Sequence, residues 1–351
     1  IDPADGKKKS VYLGNIDAKL TVDGGRAFQW PGSTFFLYVL NNNGGRPNGV
    51  VRTAQGVDNI EVETATTKLY QAWYQQQFFG ERASALLGLY YLNSEFYVND
   101  ASAPFIHPAF GIGSEFAQTG VNGPSIFPVT SFGARFRLDI TPQIYWLWAV
   151  LDGVPGDPDK PHGTHVEVGK DGGWLLATER GTKSDDGKLG LGIWHYTERF
   201  DDLVDTDAAG NPVRRLNQGF YLIAERQLTR AAEDSARGLR AFVRLGVASP
   251  DINQFENAVQ IGVTYQGLFP GRGDDIVGFG IARESNGDKF RQVASAAGEA
   301  APTYEDAYEF TYRARLANWL VIQPDVQYVR NHGDPVVMRA TIVGVRCELS
   351  W

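Results

Sequence analysis

The chain has 351 residues, 43% of them apolar, with a formal net charge of -8. That charge argues against a nucleic-acid partner, and the absence of any uncharged apolar run of about 18 residues excludes a membrane-spanning helix. The one cysteine, Cys347, excludes a disulfide framework within the chain, and a start at Ile1 without Met predicts processing or truncation.

Ile1 to Ser10 is polar and basic and reads as loop. Val11 to Val22 and Ser33 to Asn43 read as strands around turn signals at Asp23-Gly24-Gly25 and Trp30-Pro31-Gly32. Thr67 to Gln77 and Ala83 to Leu92 form a hairpin across Gly80-Glu81-Arg82. Asn93 to Thr130 has no strand period but many aromatic residues, which fits an ordered functional loop better than disorder. From Phe132 to Ile140, Ala134, Phe136 and Leu138 alternate with Arg135, Arg137 and Asp139. Further strands are expected at Gln143 to Leu151, Trp174 to Glu179, Leu189 to Thr197, Phe220 to Leu228, Leu239 to Val247, Phe255 to Gly267 and Ile276 to Arg283. Glu198 to Gln218 reads as a loop, acidic and then basic. The last stretch alternates throughout: Phe310, Tyr312, Ile322, Val326, Val343 and Val345 on one side, Glu309, Arg313, Arg315, Gln323, Asp325, Gln327, Arg346 and Glu348 on the other. No helix of useful length is predicted.

Period-2 patterning in about fifteen segments predicts one all-β domain over residues 1–351. In a sandwich the apolar face meets a second sheet. In a transmembrane antiparallel barrel it meets lipid, and the polar face lines a wet lumen. Short and long connections alternate, as in barrels, and the chain ends on the aromatic Trp351.

TYRARLANWLVIQPDVQYVRNHG (Thr311 to Gly333) resembles the C-terminal signature of the carbohydrate-selective porins of Gram-negative outer membranes, the OprB family. YQGLFPGRGDDIVGFG (Tyr265 to Gly280) and IWHYTERFDD (Ile193 to Asp202) are similar to further motifs of that family. WPGSTFFLYVLNNNG (Trp30 to Gly44), TKLYQAWYQQQFF (Thr67 to Phe79) and YYLNSEF (Tyr90 to Phe96) match in order and spacing. The resemblance implies a barrel of about 16 strands that passes sugars such as glucose by diffusion. It also implies sugars as permeants and outer-membrane lipid and lipopolysaccharide as surroundings, with monomer and trimer both open. Trp351 stands where the family usually has Phe, and the family's Trp-Gly-Gly segment and first strand, which precede the Tyr12 strand, have no counterpart here. One N-terminal strand is therefore expected to have been omitted or cleaved. A plugged carbohydrate-binding barrel and an outer-membrane hydrolase are the alternatives.

Charge on a lipid face is costly, so alternation places Arg135, Arg137, Arg240, Arg244, Arg313, Arg315 and Arg346 inward. There they serve as fork-shaped donors to sugar hydroxyls, or pair with Asp139, Glu309, Asp325 and Glu348 and stiffen the wall. Trp73, Trp194 and Tyr196 either face the lumen, where a pyranose stacks on a ring, or face lipid as girdle residues. Gln71 and Gln75 share the parity of Trp73 and favour the lumen. The Asn93 to Thr130 loop, with Glu95, Asp100 and His107, is expected to narrow the barrel. Glu95 and Asp100 are expected to face Arg135 and Arg137 across the passage, and Asp325 and Gln327 to line it. His162 and His165 read as a solvated loop rather than a metal site, and Asp205 and Asp207 lack the loop-end carboxylate of a calcium site. No cofactor and no catalytic residue is expected: no nucleophile motif accompanies the five histidines, and His195 points outward with no Ser beside it.

Overall fold

The computed structural model describes residues 8–169, 172–231, 237–299, 302–332 and 339–351. The alternating segments form β1 (Leu13–Asp23), β2 (Ser33–Gly44), β3 (Thr67–Phe78), β4 (Ala83–Tyr90), β5 (Ser131–Asp139), β6 (Ile144–Asp152), β7 (Trp174–Ser184), β8 (Gly187–Thr206), β9 (Pro212–Gln227), β10 (Gly238–Ala248), β11 (Phe255–Gln266), β12 (Ile276–Asn286), β13 (Tyr304–Ala317), β14 (Leu320–His332) and β15 (Arg339–Leu349). They make one 15-stranded sheet in which each strand lies beside its sequence neighbours, and the paired registers are antiparallel, as at β1–β2 and β14–β15. Among the described residues β1 pairs only with β2 and β15 only with β14.

Burial separates the two faces in the opposite sense to a soluble sandwich. Gln323, Asp325 and Gln327 of β14 are buried while Val326 and Tyr328 are exposed. In β13 Glu309 and Thr311 are buried and Phe310 is exposed; in β5 Arg135 is buried and Phe136 exposed. Register sets Phe279, Phe310, Val326 and Val343 side by side on the exposed face. A continuous apolar exterior over a polar interior is the surface of a barrel standing in lipid. Short connections (79–82, 140–143, 185–186, 318–319) gather at one end and long ones (45–66, 91–130, 153–173, 287–303) at the other.

Two expectations are corrected. Glu198 to Gln218 is mostly strand, because β8 runs on to Thr206 and β9 begins at Pro212. This end of the hairpin mixes charged residues with Phe200, Leu203 and Val204 on both faces, so no alternation marks it. Cross-strand ion pairs hold it: Arg214 with Glu198 at 2.9 Å and Asp201 at 3.0 Å, and Arg215 with Asp205 at 2.8 Å and with Asp202. A nine-residue helix, Asp288–Ala296, is also present. Its Lys289 reaches Asp202 at 2.6 Å, Asp251 at 2.7 Å and Asp205 at 2.8 Å. Three carboxylates hold the Lys289 pKa above its ordinary value against the opposing effect of burial.

The long segment after β4 turns inward. It forms one-turn helices at Leu92–Ser94, Pro108–Phe110 and Ser114–Ala117 and packs on the polar face of the sheet. Phe105 and Phe110 lie on the bare backbone of β12: a Cβ at Gly278 would stand 3.1 Å from the Phe105 ring, and one at Gly280 2.6 Å from the Phe110 ring. Small inward residues on β12 thus make room for the loop.

Candidate functional site: the lumen wall and its loop

A loop without a ladder of its own needs partners for its backbone groups when it is buried. The inward side chains of the wall supply them. Glu179 accepts the Tyr97 N–H at 2.8 Å, and Glu225 accepts that of Ala101 at 2.7 Å. Glu309 takes two, from Ile106 at 2.7 Å and His107 at 2.8 Å, and Glu284 takes Ser114 at 3.0 Å. Glu305 holds the preceding long loop through Ala54 at 2.8 Å and Gln55 at 3.0 Å. Carbonyls are met by donors: Arg244 gives to Tyr97 at 3.0 Å, to Gly111 at 2.9 Å and to Phe110. Gln323 gives to Pro104 at 2.6 Å, Gln327 to Val57 at 2.9 Å and Lys188 to Val98 at 2.7 Å.

This docking moves several candidate residues away from any free passage. Arg244, His107 and Trp194 are 0% exposed, Gln327 1% and Asp325 3%. Each points inward or lies in the loop, yet each is covered. The Trp194 ring is stacked on Phe116 at 4.6 Å, and Tyr196 packs beneath Gly120. Trp194 thus stands under Phe116, and Asp325, Gln327 and Arg244 face inward beneath the loops that cover them. His107 accepts the Ala109 N–H at 3.3 Å through Nδ1, and burial pushes its imidazole pKa down to about 3.

Other candidates remain accessible. Arg137 forks onto Asp139 at 2.9 and 3.1 Å, stands 3.8 Å from Glu95, and lies over the Tyr145 ring at 5.5 Å. Arg135 is tied more fully, to Glu95 at 2.7 Å, Ser84 Oγ at 2.6 Å and Gln75 at 2.6 Å, and is buried. Glu95 thus bonds Arg135 directly and lies within ion-pair distance of Arg137 instead of facing them across a gap. Asp100 does not face them at all: it lies 3.7 Å from Arg240, which is also 3.8 Å from Glu225. Beneath the loop is a cavity of about 590 Å³, bordered by Glu95, Asp100, Arg137, Tyr145, Lys183 and Lys188. Trp73 is half-buried on the inner face, stacked on Phe36 at 4.8 Å, and donates to Gln71 at 3.2 Å. Toward the short-turn end Arg313 pairs with Glu348 at 2.6 Å, and Arg315 is exposed. Arg346 binds Asp58 at 2.8 Å and Asn59 at 2.7 Å in the first long loop. In the 153–173 loop the His165 ring meets the His162 carbonyl at 2.8 Å.

Sequence reasoning missed Glu179, Glu225, Glu284 and Glu305 as loop anchors. A signal was present: each shares an inward position with small or apolar neighbours, such as Ala177 beside Glu179 and Ala282 beside Glu284. A lone carboxylate in such a row calls for a partner from outside its strand.

The chain matches the model of the carbohydrate-selective porin, OprB family, over residues 7–350. It is 25% identical to Porin B of Pseudomonas aeruginosa, over 98% of this chain and 83% of that one. The high-pH structure of Pseudomonas putida OprB superposes with a TM-score of 0.86 at 21% identity, covering 99% of this chain and 89% of the other. The outer-membrane channel DcaP of Acinetobacter baumannii is more distant, with a TM-score of 0.52 and 11% identity over 91% and 81% of the chains. With an apolar exterior, a polar lumen and an inward loop, the chain belongs to the carbohydrate-selective porin family, OprB, of Gram-negative outer membranes.

Proposed function

We propose that this porin, a passive carbohydrate-selective channel, selects its permeants where Arg137, held by Asp139, and Glu95 border the cavity under the loop. The observation that carries the reading is the half-open state of Arg137: its side chain is 22% exposed while held between two carboxylates. A guanidinium already fixed in direction offers its remaining N–H groups to a hydroxyl at little entropic cost. The carboxylates beside it accept from the sugar, and the Tyr145 ring adds an apolar edge. Around the cavity Arg137, Lys183 and Lys188 stand against Glu95, Asp100, Asp185 and Glu225, so the two signs nearly offset each other. Such a field favours a neutral polar solute over an ion. The sugar trades water contacts for these at small net gain, so it binds weakly and leaves again.

The test is single-channel conductance in a planar bilayer with graded sugar. Arg137→Ala is expected to weaken sugar block of the ion current about tenfold, the loss of one charge-assisted hydrogen bond, and to raise the open conductance. A folded variant that is blocked like the parent places selection elsewhere, with Trp73 and Gln71 the next candidates.

A further inference from the structure

Three outward rows cross β12 to β15 in register. The lowest holds Phe279, Phe310, Val326 and Val343, and the next Ile281, Tyr308, Tyr328 and Thr341. The third sets Arg283 opposite Asp306, Asp306 opposite Arg330, and Arg330 opposite Arg339. Arg283, Arg330 and Arg339 are exposed. This guanidinium row lies at the long-loop end, one step beyond the tyrosines. From Trp319 and Leu320 at the other membrane edge to Arg330 is a climb of about 25 Å along a strand tilted at about 40°, the height of a barrel's apolar band. The row therefore stands where lipid headgroups begin.

We propose that this row binds the phosphate groups of the phosphorylated glycolipid of the outer leaflet. The inference rests on the chain standing in the outer membrane. Asp306 is engaged by Arg283 through two bonds, at 2.6 and 2.9 Å, and Arg283 lies over the Tyr304 ring at 4.1 Å, so that end of the row is rigid. Among the described residues of the row one carboxylate offsets one of three guanidiniums, so that these positions are together cationic on a chain of net charge -8. Arg330 and Arg339 are directly opposed across β14 and β15, a like-charge pairing that is unfavourable by itself. A phosphate between them turns that repulsion into two fork contacts, geometry for which guanidinium is suited. The tyrosines below supply the interfacial belt on which the headgroup's sugar ring and acyl roots rest.

The experiment compares the full chain with the double variant Arg330→Gln, Arg339→Gln, which leaves the Arg283–Asp306 pair in place. Binding of purified lipopolysaccharide to detergent-solubilised protein is measured by microscale thermophoresis and by native mass spectrometry. Dephosphorylated lipopolysaccharide, phosphatidylglycerol and inorganic phosphate form the other arms. The parent is expected to bind the phosphorylated glycolipid about thirtyfold more tightly than the variant, the ordinary gain of two basic residues near an anionic surface. Removal of the phosphates should abolish the difference. Equal binding by parent and variant overturns the proposal. So does equal affinity for phosphatidylglycerol or for phosphate alone, which would mean a site without glycolipid specificity. So does a variant altered only in its self-association, which would make the row a contact between copies. Sugar flux into liposomes, run on the same two preparations, should be the same for both, since the row is outside the lumen. Loss of flux in parent and variant alike would count against the channel reading and not against the lipid site.

Discussion

Glu309 and Asp139 are both carboxylates on the inner face of the same sheet, yet they occupy different environments. Glu309 on β13 is 1% exposed and accepts two loop N–H groups. Asp139 on β5 has a side chain 28% exposed and shares a forked ion pair with Arg137 beside the cavity. The same division runs through the barrel. β7, β9, β12 and β13 grip the loop backbone through Glu179, Glu225, Glu284 and Glu309. β5 presents Arg137 and Asp139 toward space that water reaches. Charge on the inner face therefore has two uses, and the difference lies in whether a polypeptide backbone has settled over it.

The sharpest way to break this contrast is Glu309→Ala. It strands two buried N–H groups, so it is expected to destabilise the loop by about 2–4 kcal/mol, since each orphaned donor costs its desolvation. Thermal unfolding in detergent, with open-channel current noise as a second readout, checks this. Stability unchanged within error would show that the loop does not depend on the wall carboxylates.

A second test uses pH. Glu115 of the loop accepts from Tyr97 Oη at 2.9 Å and sits near Arg244 and Glu284. Burial lifts its carboxyl from 4.5 to about 7. A folded-state value above the unfolded one favours the protonated form. Its contribution to stability is complete below about 4.5 and lost as pH rises through about 7. His107 acts in the opposite sense: burial lowers it from 6.5 to about 3, so its contribution is present above 6.5 and lost as pH falls toward 3. Glu115→Gln removes only the first effect. The melting temperature of the parent minus that of the variant should therefore fall as pH rises from 4.5 to 7. A flat difference would mean that water reaches Glu115.

The smallest effect is expected on the open side. Asp139→Asn breaks an accessible ion pair and should change stability by less than about 1 kcal/mol, while shifting the ratio of cation to anion current. A stability loss as large as that of Glu309→Ala would dissolve the distinction between the two regions.

The sequence by itself determined the strands and their two faces. The alternation of Phe136 with Arg135 and Arg137, and of Phe310 with Glu309, follows from the period of an extended chain and needs no tertiary information. The period was silent where charged and apolar residues mix on both faces, and so Glu198 to Gln218 read as loop although it is the end of a hairpin. Only the tertiary structure decided which inward residues meet water. The contacts that bury Trp194, His107, Arg244, Asp325 and Gln327 join residues far apart in the chain, as when Val57 meets Gln327 or Phe110 meets Arg244. A strand's own pattern carries its direction of facing; what comes to rest against that face is set by loops whose docking depends on many strands of the wall at once.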